Sequence, residues 1–348
     1  MSGEPKGIDI TAGGRYVVFV SWASNLVEND TNDAGDIFVH DRTTGTTTLI
    51  SRATDGSIGN GNSGSPSISS DGRFVAFASG ASNLVANDTN SAQDIFVHDR
   101  TTSETFLISM ASDGTQGNRS SSWLDISADG RYVAFVSDAS SLVANDTNDT
   151  EDVFVHDRTL GETTRVSVTS DGTQATFYST NPSISADGRY VAFQSYSKLV
   201  PSIYFGDRVY VHDQITGETT LVSLASDGTH SNDQAYAPSI SAVGRYVAFE
   251  SSANNLVEND ANASRDIFVH DRTLGETVRI SVATDGTEGD FGSSWSNISG
   301  DGRYVAFSSE ASNLVTNDTN GTNDVFVYDR DWNADTSQLI YLPFIVKP

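Results

Sequence analysis

The chain has 348 residues, 37% of them hydrophobic, with no cysteine and 46 acidic against 20 basic side chains, for a net charge of −26. That charge excludes a nucleic-acid binder, which must neutralise phosphates with Lys and Arg, and it argues equally against an anionic membrane surface. Disulfides play no part, and no stretch approaches the ~18 apolar residues of a membrane-spanning helix.

The opening MSGEPK is too short and too polar for a signal peptide, so any signal is expected to be trimmed or never to have existed. From Ile8 onward one unit recurs. Its centre reads GGRYVVF, DGRFVAF, DGRYVAF, DGRYVAF, VGRYVAF and DGRYVAF, closing on Phe19, Phe77, Phe135, Phe193, Phe249 and Phe307 at spacings of 58, 58, 58, 56 and 58 residues. A fixed period of this size marks a repeat architecture whose units bury their faces against their neighbours.

The third repeat shows the elements most plainly. Leu124–Ser127 is a short apolar run, strand a. Ala128-Asp129-Gly130 is a turn, and Arg131–Ser137, aromatic and β-branched, is strand b. A polar loop runs through Asp152. Val153–Asp157 is strand c, Thr159–Glu162 a turn, and Thr163–Val168 strand d. Strands b and c are apolar on both faces, so each four-stranded antiparallel sheet needs cover on both sides. A radial array supplies it. The expected fold is therefore all-β, a six-bladed β-propeller of four-stranded antiparallel blades. A single propeller spans 8–342, with blades at about 8–55, 66–113, 124–171, 182–227, 238–285 and 296–342 and tails at 1–7 and 343–348. Each blade is contiguous chain with no strand exchanged at the seam. In the sixth blade Asp331–Asp335 replaces the usual Thr-rich turn, and Ser337–Leu342 serves as strand d.

The unit SISADGRYVAF…DVFVHDRTTGETTLVS resembles the WD-repeat-like units of TolB-type six-bladed β-propellers, from Ile8 to about Leu342. The resemblance implies the fold and a secreted, periplasmic or cell-surface location in a bacterium. It does not choose a function, because that superfamily holds binding modules, protease domains and hydrolases.

In such blades the b–c and d–a loops share one face. The b–c loops are long and the d–a loops carry 13 residues each, so function is sought there. Five b–c loops keep a frame of Asp, Asn two later and Asp six later: Asp30, Asn32 and Asp36; Asp88, Asn90 and Asp94; Asp146, Asn148 and Asp152; Asp260, Asn262 and Asp266; Asp318, Asn320 and Asp324. Oxygen ligands at that spacing resemble the first half of a calcium loop, and up to five calcium ions are expected. Asn and Asp also form turns by bonding their own backbone, so ion-free turns are the competing reading. The fourth loop, VPSIYFGD at 200–207, lacks Asp-x-Asn but keeps Asp207, and no ion is expected there.

Five histidines recur at one position of strand c, His40, His98, His156, His212 and His270, with Tyr328 in the sixth repeat. Such recurrence points to scaffold. Residues that differ between blades are the candidates for ligand binding: Arg119, Tyr178, Tyr204, His230 and Tyr236. On strand a, Asp9, Asp125 and Asn297 could face a central channel and hold one ion, as in hydrolases of the lactonase type. The expected function is thus a secreted, calcium-stabilised binding module without catalysis. Its ligand is a protein, peptide or carbohydrate, it binds no nucleic acid or membrane, and it is monomeric. The alternative is a metal-dependent hydrolase.

Overall fold

A computed structural model describes residues 7–201, 203–331 and the backbone of Ile340–Leu342. The sixth-blade turn from Trp332, the first half of its predicted strand d, residues 1–6 of the first tail and the whole of the second lie outside the described residues. Six four-stranded sheets follow one another, each built from consecutive strands paired in the order a-b-c-d. The fold is an all-β six-bladed propeller, and the described residues contain no helix. In the third blade the strands are Ser121–Ile126, Tyr132–Ser137, Asp152–Asp157 and Glu162–Arg165. The chain divides into two compact units. One runs through Val168 and takes in Gly172–Gly188; the other holds Thr169–Asp171 and continues from Arg189.

Strands b and c form as predicted because their residues are apolar on both faces and pair in register, Phe135 opposite Phe154 with rings 5.8 Å apart. Both rings are fully buried. The neighbouring sheet covers them: Ala76, Ile95 and Val97 of the second blade pack with Leu124, Val133 and Phe135 of the third. Each such aromatic contributes roughly 1.5–3 kcal/mol by leaving water.

Strand a differs from expectation. It begins three residues earlier, at Ser121 rather than Leu124, and holds a bulge where its register against strand b shifts. The residue at this position is left-handed in five blades, with φ of 50 at Ser65, 43 at Trp123, 53 at Asn181, 45 at Ala237 and 59 at Trp295. Strand d ends sooner than read, at Arg165 rather than Val168. The chain then turns at Gly172, and Val168 pairs again with Gln174.

Three repeated contacts lock the sheets. The DGR arginine pairs with the aspartate closing strand c, as Arg131 Nη2 to Asp157 Oδ2 at 2.6 Å. The DGR glycine of one blade lies against the aromatic ring that opens strand b of the blade before, Gly130 on Phe74 and Gly188 on Tyr132. The next arginine, Arg158, donates to the Gly130 carbonyl at 2.5 Å and covers the same Phe74 ring at 4.3 Å.

Candidate functional site

The b–c loops pair two carboxylates at the start of strand c. The second of each pair, Asp36, Asp94, Asp152, Asp266 or Asp324, opens strand c and is fully buried. A serine two residues past the end of strand d donates to four of them, Ser51 to Asp36, Ser109 to Asp94, Ser167 to Asp152 and Ser281 to Asp266, at 2.5 to 2.6 Å. Burial raises the pKa of Asp36, Asp94, Asp152 and Asp266, against the pull of those hydroxyls. Asp260 is pushed to about 6, by burial first and by the charge of Asp266 second. Two carboxylates held together out of water cannot both ionise freely.

The asparagine of the frame plays the turn role. Asn32 accepts from Ala34 N at 3.1 Å and donates to Asp36 at 2.8 Å and to the Gly59 carbonyl at 2.9 Å. Asn90, Asn148 and Asn262 repeat the bond to the d–a loop on Gly117, Ala175 and Gly289, and Asn320 bonds Asp324. A left-handed residue follows the asparagine, Asp33, Ser91, Asp149 or Ala263, with Gly321 in the sixth blade. Both ends of the amide are thus used by the protein.

Five participants escaped the sequence reading. Gln116 from the d–a loop bridges Asp88 and Asp94, with Nε2 2.9 Å from each. Gln174 does the same for Asp146 and Asp152 at 2.7 and 3.1 Å. In the fifth blade the equivalent residue is Glu288. Asp260, Asp266 and Glu288 bring three carboxylate oxygens within 4.8 Å of one another, the one such group among the described residues. Strand d adds a cation in two blades. Arg165 lies 3.4 and 3.6 Å from Asp146 and Asp152. Arg279 pairs with Glu288 and stands 3.7 and 3.8 Å from Asp260 and Asp266. Leu49 and Leu107 occupy that register in the first two blades. The recurrence of position 58, 116, 174, 230 and 288 at the repeat period was the signal that could have found this partner.

The fourth blade corrects one reading. Asp207 does not take the place of the aspartate that opens strand c. Arg208 pairs with Ser195 as Asp152 pairs with Ser137, so the equivalent residue is Arg208. The shortened loop slips the frame by one residue. Asp207 instead accepts Gln194 Nε2 at 2.8 Å.

The histidines are scaffold. Nδ1 of His40, His98, His156, His212 and His270 lies 2.8 to 3.0 Å from a strand-d threonine hydroxyl. Asp9 and Asp125 meet at Ser67, whose hydroxyl is 3.2 and 3.1 Å from them, and they accept the amides of Ile68 and Ile184 at 3.0 Å each. They tie one strand a to the next. Asn297 lies in the other compact unit, where Ser239 accepts the adjacent Ile298 amide at 3.1 Å. Of the ligand candidates, Arg119 is tied to Asp149 at 2.6 Å and Tyr178 is half-buried. Tyr236 lies under the Arg265 guanidinium at 4.9 Å, His230 is half-buried, and Tyr204 is 84% exposed beside Phe205. Phe205 stacks on Tyr196, and Lys198 covers its ring at 4.3 Å.

No family profile matches the chain, and no curated protein is detectably similar to it. Solved structures are. The β-propeller domain of the Trilobed protease from Pyrococcus furiosus matches with a TM-score of 0.55 and 13% identity, over 95% of this chain and 82% of that one. An oligogalacturonate lyase in complex with manganese matches with a TM-score of 0.55 and 14% identity, over 93% and 76%. TolB from Acinetobacter baumannii matches with a TM-score of 0.45 and 18% identity over 79% of this chain, which spans 53% of that protein's length. Likeness at these identities establishes fold alone, and the fold is that of a six-bladed β-propeller.

Proposed function

We propose that the chain is a non-catalytic binding module whose b–c loops take up calcium. The observation that supports this most is the recurring pair of one buried and one half-buried carboxylate. In the first and second blades no strand-d arginine stands against Asp30 and Asp36 or Asp88 and Asp94. A divalent cation would relieve both their desolvation and their mutual repulsion. Donors that are all oxygen select a hard ion, and calcium tolerates an incomplete, irregular shell completed by water. Few protein ligands per site imply weak binding, in the range of extracellular modules, about 10⁻⁴ to 10⁻³ M. That range agrees with a location outside the cytoplasm. No described helix could cross a membrane.

Thermal unfolding with calcium and with chelator tests the reading. One site at 100 times its Kd adds about 2.7 kcal/mol to the native state, so the midpoint should rise with calcium and return with chelator. Titration calorimetry should then separate the blades. Asp88→Ala is expected to remove one ion from the stoichiometry. Asp146→Ala should change it less, because Arg165 already supplies a cation to that pair. A midpoint indifferent to calcium and chelator would return the loops to plain turn chemistry.

The partner, a protein, peptide or carbohydrate, is assigned to the face carrying the b–c and d–a loops. Within the second compact unit Tyr204 is the most exposed large aromatic, next in the chain to Phe205, which stacks on Tyr196. On a peptide or glycan array, Tyr204→Ala combined with Tyr236→Ala is expected to weaken any ligand found by about tenfold or more, as for buried aromatic anchors. Unchanged binding in that variant would place the partner elsewhere. The hydrolase reading draws on the meeting of Asp9, Ser67 and Asp125, and turnover of a lactone or ester lost in Asp125→Asn would favour it.

A further inference from the structure

The fourth blade reverses the charge of the b–c site. Where sibling blades open strand c with a buried aspartate, this one has Arg208, itself 7% exposed. Its Nη1 donates to the Asp207 carbonyl at 2.9 Å, and its buried Nε has no hydrogen-bond partner. Among the described residues no carboxylate forms an ion pair with it, while the nearby Asp207 carboxylate is engaged by Gln194. Gly206 passes so close that a Cβ there would stand 2.9 Å from Nη1. A buried guanidinium with an empty donor is costly unless a charge meets it.

The d–a loop of the same blade has changed in concert. In the second and third blades this loop supplies a glutamine to the strand-c aspartate, followed by the carbonyl of Gly117 or Ala175 that binds the frame asparagine. The two equivalent positions here are His230 and Ser231. Ser231 is buried, and its hydroxyl also has no partner. The His230 ring makes no hydrogen bond among the described residues; its carbonyl alone is engaged, by Asn255. One blade thus loses its Asp-x-Asn and gains a guanidinium, a free hydroxyl and an imidazole at the corresponding positions.

We propose that Arg208 and His230 form a site for one small inorganic anion, a halide or an oxyanion such as sulfate. The guanidinium Nε–H would donate to it directly, and His230 stands at the position from which Gln116 and Gln174 reach the residue opening strand c in sibling blades. The long-range field of a chain of charge −26 opposes an anion, so binding there must come from these contacts.

The test is run with chelator present, so that calcium uptake by the other blades cannot contribute and failure of either idea is seen separately. Unfolding midpoints are measured as bromide or sulfate replaces gluconate at constant ionic strength. A saturable rise is expected. It should vanish in Arg208→Met, and His230→Ala should raise the half-saturating concentration about tenfold, the usual worth of a hydrogen bond to a charged group. Crystals soaked in bromide give a second readout that needs no variant to fold. An anomalous peak within hydrogen-bond reach of Arg208 Nε supports the proposal. A soaked crystal with no peak there, or a saturable rise that survives in Arg208→Met, overturns it.

Discussion

Replacing Gly130 by alanine is expected to cost about 2–5 kcal/mol, among the larger losses that one added methyl group can cause. Two effects combine. Gly130 has φ +73, and an L-residue there pays roughly 1–2 kcal/mol. The new Cβ would also press into the Phe74 ring, standing 2.8 Å from its Cγ. That ring cannot step aside, because the Arg73 and Arg158 guanidiniums lie against it at 4.6 and 4.3 Å. Overpacking of this kind adds about 1–3 kcal/mol. Gly161→Ala is the matched control. Its φ is +70, yet nothing lies within 4 Å of an added Cβ, so only the backbone cost applies. Urea unfolding of the two variants should therefore differ by the clash alone. If they lose the same stability, the glycine-on-aromatic contact is not what locks the second blade to the third.

The same contact shows what could be read from the chain and what could not. The period, the strands b and c, and the structural role of the histidines were legible because they rest on local pattern: apolar runs of fixed length, and one residue type returning at one position. Strand a was cut short because a left-handed residue sits in its middle, and Trp123 in that conformation breaks the alternation that announces a strand. The carboxylate pair was visible at a separation of six residues. Its third member was not, since Gln116 and Asp88 are 28 residues apart and meet only when two loops fold onto each other. Arg208 was missed for a different reason. A loop two residues shorter kept an aspartate beside the right place, and only the pairing with Ser195 shows which residue opens the strand.

Acidification from about pH 6.5 toward 4 should destabilise the chain through those histidines. Burial holds His98 and His156 down to about 4, with Arg52 assisting at His98, and it lowers His212 and His270 as well. The folded state keeps them neutral against their threonines, whereas the unfolded chain protonates them near 6.5. In that window the unfolded state binds more protons, so unfolding free energy rises with pH and falls on acidification. The aspartates of the b–c loops act in the opposite sense. Their raised values mean that the folded state takes up protons first, which offsets part of the loss, beginning near 6 at Asp260. Saturating calcium would hold the loop carboxylates ionised and remove that offset, so the loss on acidification should be steeper with calcium than with chelator. His98→Asn and His156→Asn keep a polar group near the threonine but cannot titrate. Each should reduce the slope of stability against pH by up to one proton, about 1.4 kcal/mol per pH unit. Urea midpoints measured at pH 7, 6 and 5 read this directly, and a slope unchanged in the double variant would show that other groups carry the transition.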